Sequence, residues 1–255
     1  MSNKDSWNSA HLVNAYAEAS ALQKPEETLL ALLEGDLKNW RMLDIGIGLG
    51  RTTRFFAPLA KEYVGMDYSA GMIETYRKMH PEHRPNIRIQ LGDACHMPEF
   101  ASGYFDFILF SFNGIDYLTH EGRLQAFQEI KRVGKRGGLF AFSSHNLHYI
   151  HQLYRVQLDK GLRYSVYQCY RYVRLLLENG LPARYRRADF AILNDGAHHF
   201  KLRTYYITPS AQVKQLERLG FRNIRLFSLK TGAPVDLSGT DELGKDSWFY
   251  YLCEI

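Results

Sequence analysis

The sequence MLDIGIGLGRTTRF, residues 42–55, decides the fold of this 255-residue chain. An apolar run leads to Asp44, and three glycines follow at the alternate positions 46, 48 and 50. Glycine loses more backbone freedom on folding than any other residue, so this density indicates a loop whose backbone lies where side chains would collide. A strand, a glycine loop and a helix in this order form the turn at which α/β sheets bind nucleotide-like ligands. The stretch therefore predicts a ligand site beyond the end of the first strand.

The spacing of the glycines bears on which ligand the loop holds. In the dinucleotide fingerprint G-x-G-x-x-G that starts at Gly46, the third glycine would fall at position 51, where this chain has Arg51. The third glycine comes one residue earlier, at Gly50, which disfavours NAD without excluding it. A phosphate-binding P-loop is supported less, since no Gly-Lys-Ser/Thr closes the run.

Strand and helix patterns alternate along most of the chain. Apolar runs predict strands, and amphipathic segments between them predict helices, which argues for an α/β fold with a parallel sheet covered on both faces. The predicted strands are 41–45, 62–69, 87–94, 105–113, 138–146, 221–229 and 247–255. The predicted helices are 25–34, 51–60, 70–80, 120–133 and 208–221, the last with Thr208 as N-cap.

Residues 146–206 break this alternation. Tyr, Arg and His are dense there, residues 164–180 have helical periodicity, and a hairpin is predicted to turn near Asp195 and Gly196. We interpret this segment as an insertion over the sheet. No linker separates independent domains, so the chain is expected to be one domain over 1–255, with 1–24 as an N-terminal helical cap.

The composition excludes several classes of protein. Hydrophobic residues make up 45% and charged residues 23%, as in soluble globular proteins. No apolar run approaches the roughly 20 residues that cross a bilayer, and the N-terminus has no apolar signal-peptide core, so we expect a cytoplasmic protein without a membrane partner. The three cysteines are far apart, which suggests neither a metal site nor a disulfide framework. The net charge of +5 permits an anionic ligand but falls short of the basic stripe of a nucleic-acid binder.

Acidic residues follow the next two predicted strands. Asp67 comes 17 residues after Gly50, where a carboxylate can accept both hydroxyls of a ribose, and Asp93 ends the third strand. Together with Asp44, they place carboxylates at the ends of three successive strands. That edge of the sheet would suit a ligand with a cationic group, a ribose and a base that bears hydrogen-bond donors.

Five segments resemble, in order and spacing, the successive motifs of class I S-adenosylmethionine-dependent methyltransferases. The match covers about residues 25–146 well and 204–255 in outline. It implies a Rossmann-like doubly wound sheet of about seven strands, mostly parallel with an antiparallel C-terminal strand, plus a helical and hairpin insertion after strand 5. The segments are LDIGIGLGRTT, VGMDYSAGMIE, LGDACHMP, FDFILFSFNGIDYL and VGKRGGLFAFSSHN.

The resemblance implies S-adenosyl-L-methionine as cofactor, S-adenosyl-L-homocysteine as product, and a role for each matching residue. Asp44 would face the methionine part of the cofactor together with Gly46, Gly48 and Gly50. Asp67 would hold the ribose hydroxyls.

The resemblance also implies which residues contact the adenine. Tyr68, Met72 and Cys95 would flank its ring, Asp93 would accept from its amino group, and the backbone of Ala94 would contact the ring.

Three further residues complete the implied cofactor site. Phe110 and Ser111 would lie under the methionine, and Tyr16 resembles an N-terminal aromatic that closes over the cofactor in small-molecule members of the family. Ile47 and Leu49 replace the cysteine or serine and the small residue that are frequent in the family, but they change only side chains of the loop.

Methyl transfer from a sulfonium is an in-line displacement, in which orientation alone can supply about 7–11 kcal/mol. A hydroxyl acceptor usually benefits from a general base, whereas a neutral amine needs only to be positioned. His145, which follows the fifth strand, is the first candidate base, and His199 and Tyr206 in the hairpin are secondary ones. No metal ion is expected.

Candidate residues for the methyl acceptor come from two places. Asn113 and Asp116 follow the fourth strand, and Arg203 and Tyr205 belong to the hairpin. Residues 1–24 and 146–206 would form the acceptor pocket, with 146–206 as a substrate lid.

The leading hypothesis is methylation of an oxygen or nitrogen of a small or medium-sized metabolite. An RNA or peptide methyltransferase is the second hypothesis, suggested by the charge and the Arg/Tyr-rich insertion. The Asn/Asp-Pro-Pro-aromatic motif common in enzymes that methylate nucleic-acid amino groups is absent after the fourth strand, which reads SFNGID. A non-catalytic cofactor-binding protein is the third hypothesis, and the oligomeric state stays open.

Overall fold

The computed structural model describes residues 21–82, 84–237 and 243–255, with the backbone only of His198 and His199. The helices are α1 Lys24–Leu37, α2 Thr53–Phe56, α3 Ala70–Met79, α4 His120–Val133, α5 Ile150–Leu153, α6 Leu162–Asn179 and α7 Pro209–Arg218. The strands are β1 Arg41–Ile45, β2 Glu62–Asp67, β3 Ile87–Leu91, β4 Phe105–Phe110, β5 Gly134–Asn146, β6 Phe190–Leu193, β7 Thr204–Ile207, β8 Arg222–Ser228, β9 Pro234–Val235 and β10 Trp248–Glu254.

The strands form one sheet whose main path runs β3-β2-β1-β4-β5-β10-β8-β9. Strands β3, β2, β1, β4 and β5 pair in parallel, and β10 pairs antiparallel with both β5 and β8. This confirms the Rossmann-like, mostly parallel sheet with an antiparallel C-terminal strand. Because the chain leaves β1 toward β3 and returns to β4 on the other side of β1, the strand order reverses between β1 and β4. Open α/β sheets bind their ligands in the crevice at such a point.

The sheet has ten strands in the described residues rather than about seven. The additional ones are the hairpin strands β6 and β7 and the two-residue β9. Strand β7 pairs in parallel with the last two residues of β5, His145 and Asn146. On the other edge of β5, His145 pairs with Trp248 of β10, and the Asn146 N–H donates to the carbonyl of Ser247, just before β10.

The sequence analysis predicted that the insertion lies over the sheet. Its hairpin instead extends the sheet, because β7 pairs with β5. The reason is that β4 ends at Phe110, opposite Phe142 of β5. The backbone groups of β5 beyond that point need other partners on this edge, and β7 supplies them.

Local sequence explains where most helices begin and end. Thr119 and Thr208 cap α4 and α7 by accepting the backbone N–H of Gly122 and Ala211, so the predicted cap at Thr208 is confirmed. Helix α2 is shorter than the predicted 51–60. It ends at Phe56, because Pro58 lacks a backbone N–H and restricts the residue before it.

Both faces of the sheet are covered by apolar residues, as expected for a doubly wound fold. One face packs Leu43 and Phe140 against Phe127 of α4, and the other packs Met42 against Leu29 of α1. The insertion has its own apolar cluster, Leu147, Ile150, Tyr154, Leu175, Ala191, Leu193 and Tyr206. None of the helices in the described ranges is long and apolar enough to cross a bilayer.

Candidate functional site

A cavity of about 1030 Å³ opens at the carboxyl ends of β1, β2, β3 and β4. Its volume is slightly above the usual range of small-molecule and cofactor sites, about 300–1,000 Å³. Most of the residues predicted to bind the cofactor line it. They are Gly46, Gly48, Gly50, Asp67, Tyr68, Met72, Asp93, Ala94, Cys95, Phe110 and Ser111, and the predicted substrate residue Arg203 joins them.

The glycine loop has the backbone conformation that its sequence predicts. Gly46, Gly48 and Gly50 have φ angles of +71°, +53° and +86°, a region that side chains disfavour. A Cβ at position 50 would lie 2.4 Å from the Tyr76 ring, whereas a Cβ at position 48 would meet no atom within 4 Å. The loop is therefore packed against the protein at Gly50 and open toward the cavity at Gly48.

The Asp67 carboxylate is hydrogen-bonded to the backbone of the glycine loop. Its Oδ2 accepts the backbone N–H of Gly48 and its Oδ1 that of Ser69, both at 2.9 Å. Burial raises the pKa of this carboxyl, although hydrogen bonds from the backbone of Ser69, Gly48 and Tyr68 oppose the rise. Each oxygen keeps acceptor capacity at the cavity wall, and this arrangement fits the two hydroxyls of a ribose.

The side of the cavity that was predicted to hold the adenine is built from β2, β3 and α3 and the residues that follow the two strands. The Oδ1 of the exposed Asp93 accepts the backbone N–H of Cys95 at 2.9 Å. The Cys95 thiol contacts the carbonyl of Gly122 at 3.3 Å, and burial, with a contribution from Asp93, raises its pKa to about 12. Cys95 is therefore a neutral wall residue rather than a thiolate nucleophile.

Asp44 lies behind the glycine loop and does not line the cavity. Its Oδ2 accepts from the Thr52 hydroxyl and from the Tyr63 hydroxyl, both at 2.6 Å. Its Oδ1 is buried without a hydrogen-bond partner among the described residues. Burial raises the pKa of Asp44 to about 6. Its contact with the methionine part of the cofactor stays a prediction.

A buried group of four residues, here called the Glu26 cluster, lies beside the cavity: Glu26, Arg51, Ser111 and Tyr250. The Arg51 guanidinium donates to both carboxylate oxygens of Glu26, with Nη2 to Oε1 at 2.6 Å, and to the Ser111 hydroxyl at 2.9 Å. The Tyr250 hydroxyl donates to the same Oε1 at 2.6 Å. Burial alone would raise the pKa of Glu26, but Arg51, Ser111 and Tyr250 hold it below its usual value.

Of the Glu26 cluster, only Ser111 was predicted as a site residue. Arg51 also lines the cavity, and its place directly after the glycine run was an available signal. Glu26 forms a capping box with Gln23 at the start of α1, so its sequence pattern indicates only a helix start.

A second buried group, the Asp116 cluster, contains Asp116, Arg123, Ser144 and His145. Asp116 Oδ1 accepts from Arg123 Nη1 and, at 2.8 Å, from the Ser144 hydroxyl. Asp116 Oδ2 lies 2.7 Å from the backbone nitrogen and 2.8 Å from the Nδ1 of His145. With the proton on Nδ1, the Nε2 of His145 is an acceptor, and it lies 3.5 Å from the side-chain nitrogen of Asn113.

The structure thus brings together three predicted residues, Asn113, Asp116 and His145, but none of them lines the cavity. Their placement follows from the end of β4, where Phe112 and Asn113 have φ angles of +54° and +60°. The Asn113 N–H donates to the Ser143 hydroxyl at 2.7 Å, which turns the chain toward β5.

The hairpin tyrosines also lie outside the cavity wall. Tyr205 is fully buried, its hydroxyl is 2.9 Å from His120 Nδ1, and burial raises its pKa to about 12. Tyr206 donates to Asp195 at 3.0 Å, and its ring centroid is 4.8 Å from that of His145. Tyr16 and most of the 1–24 cap lie outside the described residues, as does the side chain of His199.

The wall of the cavity continues from the residues after β4 onto the insertion. Tyr117, Leu118 and Thr119 line it on one side. The hairpin contributes Ile192, Asn194, Phe200, Lys201 and Arg203. Within the described ranges, no three His, Cys, Asp or Glu side chains converge as metal ligands.

Comparison with known proteins agrees with this geometry. Residues 42–138 match the family model described as "Methyltransferase domain". The chain is 29% identical over 219 residues to the biotin biosynthesis bifunctional protein BioHC of Cellvibrio japonicus, a match that covers 79% of this chain and 40% of that protein. It is 33% identical over 104 residues to the demethylmenaquinone methyltransferase of Renibacterium salmoninarum, covering 41% of this chain and 40% of that enzyme. The matches thus span less than half the length of these relatives.

Solved structures share the fold at low sequence identity. An S-adenosylmethionine-dependent methyltransferase from Clostridium acetobutylicum superposes with a TM-score of 0.62 at 15% identity, covering 96% of this chain and 97% of that one. One from Mesorhizobium loti gives 0.60 at 16% identity, covering 91% and 98%. The matched residues 42–138 contain the glycine loop and both carboxylates of the cavity wall, so this part of the chain is a methyltransferase domain, in the fold that solved S-adenosylmethionine-dependent methyltransferases share.

Proposed function

We propose that this protein transfers a methyl group from S-adenosylmethionine to an oxygen or nitrogen atom of a small or medium-sized metabolite in the cytoplasm. The observation that carries the proposal is the continuity of the cavity. Gly48, Asp67 and Asp93 line one part of it, and Lys201 and Arg203 of the hairpin line another. Two small molecules can therefore lie in contact within one space.

The residues present fit the cofactor. Asp67 offers two fixed carboxylate oxygens for the ribose hydroxyls, and the open backbone at Gly48 leaves room for the chain beside them. Asp93 would accept from the adenine amino group, and Ser111 would lie under the methionine part. When bound, S-adenosylmethionine supplies an electrophilic methyl group on a sulfonium.

The contribution that the described residues support best is positioning. The in-line displacement requires the acceptor atom, the methyl group and the sulfur to be aligned, and a preformed wall supplies that alignment in advance. Lys201 and Arg203 would hold an anionic group of the acceptor, and residues 146–206 would act as its lid.

His145 is proposed as general base for a hydroxyl acceptor. Support comes from Asp116, which holds Nδ1 and leaves Nε2 as the acceptor for a proton. Because His145 lies outside the cavity wall, an amine acceptor that binds neutral and needs no base agrees better with the described geometry. His199 and Tyr206 stay secondary candidates.

Isothermal titration calorimetry with S-adenosylmethionine tests the cofactor site. Asp67→Ala removes two hydrogen bonds to a charged acceptor, each about 1.5–3 kcal/mol, so we expect its affinity to fall at least about 100-fold. Asp106→Ala, a matched change at the opposite end of β4, should bind as the wild type does. Unchanged affinity in Asp67→Ala would show that this residue does not hold the ribose.

Mass spectrometry of a cell extract incubated with the protein and methyl-labelled cofactor tests the acceptor class. Label in one low-mass species is the expected result. Label in RNA or in a peptide would replace the metabolite proposal with the corresponding alternative. No label above the protein-free background would favour a non-catalytic cofactor-binding protein.

A further inference from the structure

Helix α6 has an apolar face on the outside of the molecule. Its inner face packs Gln168, Leu175 and Asn179 into the insertion. Its outer face carries five large side chains that are between 51% and 82% exposed, Leu162, Val166, Tyr170, Val173 and Leu177. At 100° per residue these five lie within an arc of about 80°, so they form one continuous stripe. A surface helix normally carries polar residues there, and exposed apolar patches mark interaction sites.

Four of the five stripe residues are arranged symmetrically along the helix, and Tyr170 is mirrored by the exposed Cys169. Leu162 and Leu177 are equally far from the midpoint between residues 169 and 170, and so are Val166 and Val173. The exposed leucines just beyond the helix, Leu158 and Leu181, share this midpoint. In a two-fold dimer the same patch of each subunit meets its copy, so each residue pairs with the one at the mirrored position. Two antiparallel copies of α6 would place leucine against leucine and valine against valine.

The charges beside the stripe are complementary in that same arrangement. Arg163 and Glu178 lie on one flank of the stripe, near its opposite ends. In an antiparallel pair centred at the midpoint, Arg163 of one copy would lie, along the helix axis, within about 3 Å of the level of Glu178 of the other, which is ion-paired at 3.1 Å with Arg174 of its own helix. Within one copy they are fifteen residues apart, about 22 Å. A parallel pair would instead bring Arg163 beside Arg163.

We propose that α6 is a dimerisation helix, packed antiparallel against α6 of a second copy of this chain about a two-fold axis between residues 169 and 170. The helix is about 27 Å long and only one of its faces would be buried. The area that it can bury is therefore smaller than the roughly 800 Å² per partner of a standard stable interface. The dimer is therefore expected to be concentration-dependent.

The interface lies close to the cavity. The side-chain nitrogen of Asn179 donates to the carbonyl of Asn194 at 2.9 Å, and its oxygen accepts the N–H of Asn194 at 2.8 Å. Asn194 lines the cavity. Dimerisation through α6 would thus hold the helix that supports the hairpin wall.

Sedimentation equilibrium of the full chain between about 5 and 500 µM tests the proposal. The wild type is expected to pass from monomer to dimer in this range, and the double variant Val166→Glu/Val173→Glu is expected to stay monomeric, because it brings four carboxylates together in the seam. Leu32→Glu is the matched control, since Leu32 is an exposed leucine on α1, 49% accessible, and it should leave the dimer unchanged. Circular dichroism checks that each variant is folded.

A charge exchange tests the antiparallel register. Arg163→Glu should weaken the dimer several-fold, and adding Glu178→Arg should restore it, since the two positions are too far apart to pair within one copy. Cys169 is exposed and adjacent to the midpoint, so a short bismaleimide should cross-link two wild-type copies but not Cys169→Ser.

Three results would overturn the proposal. They are a wild type that stays monomeric at every concentration, a dimer that survives Val166→Glu/Val173→Glu, and binding of the wild-type monomer to anionic lipid vesicles that the same variant abolishes. The last result would assign the stripe to a membrane surface.

Discussion

Replacing Asp44 with asparagine is expected to change how stability depends on pH. The wild-type carboxyl is fully buried, and its pKa is about 6 in the folded protein against 3.8 in the reference state. Between these pH values the folded state holds a proton that the unfolded state has released. The stability contribution of this group is therefore greatest at low pH and decreases as the pH rises through 6.

The size of the effect follows from the shift. The pKa of Asp44 differs by about 2 units between the folded and the unfolded state, which corresponds to about 3 kcal/mol in the free energy of unfolding. About 1.4 kcal/mol of this is lost between pH 5 and pH 8. Asn retains an oxygen for the Thr52 and Tyr63 hydroxyls but places an NH₂ group where Oδ1 has no described partner. That unsatisfied donor costs about 1–3 kcal/mol at every pH. Asp44→Asn should thus lose more stability at pH 5 than at pH 8, by about 1.4 kcal/mol.

Urea unfolding followed by circular dichroism at pH 5, 6, 7 and 8 measures this difference. Asp106→Asn is the control. Burial alone would raise the pKa of Asp106, but the Arg41 N–H and Lys135 hold it below its usual value. The contribution of Asp106 to the stability of the folded protein is therefore lost only as the pH falls below about 4. The stability difference for this control should be constant from pH 5 to 8. A constant difference for Asp44→Asn as well would refute the raised pKa.

Four other substitutions test separate parts of the site. Gly50→Ala should lower the free energy of unfolding by about 2–4 kcal/mol, because its Cβ would lie 2.4 Å from the Tyr76 ring at a φ of +86°. Gly48→Ala should cost only about 1–2 kcal/mol in urea unfolding while weakening cofactor binding in calorimetry, and equal stability losses would contradict the packing assigned to Gly50. Arg123→Met should destabilise the protein by about 3–5 kcal/mol by leaving Asp116 buried without its ion pair, whereas Lys24→Met at the exposed pair with Glu27 should cost less than about 1 kcal/mol in the same assay. His145→Asn should reduce turnover of an amine acceptor less than tenfold and leave its pH profile unchanged, whereas a loss of about 100-fold or more would assign it as the general base.

The parts of the fold that depend on local chemistry were predictable. Periodicity and capping placed β1 and α4 at the bounds that the structure has. Asp67 was predictable as a wall residue because a parallel strand brings the residue at its end to the edge of the sheet where ligands bind. The sequence analysis predicted both Asp67 and Gly48 as cofactor-binding residues but did not predict the hydrogen bond between them.

The parts that depend on distant partners were not predictable from the pattern. Tyr250 and Glu26 form a hydrogen bond across 224 positions, and no periodicity reports such a contact. The distance of His145 from the cavity depends on how the chain turns at Phe112 and Asn113, two non-glycine residues with positive φ. A positive φ is rare for phenylalanine, although asparagine adopts it more readily, so the sequence pattern did not predict this turn.

The pairing of β7 with β5 has a consequence for how substrate preference could be changed. The wall residues Asn194, Phe200, Lys201 and Arg203 lie between two strands that are held by a backbone ladder. Segments of this kind accept substitution and insertion while the flanking strands keep their register. Residues 194–203 can therefore be exchanged as a cassette, and libraries built there should yield altered acceptor preferences without loss of cofactor binding.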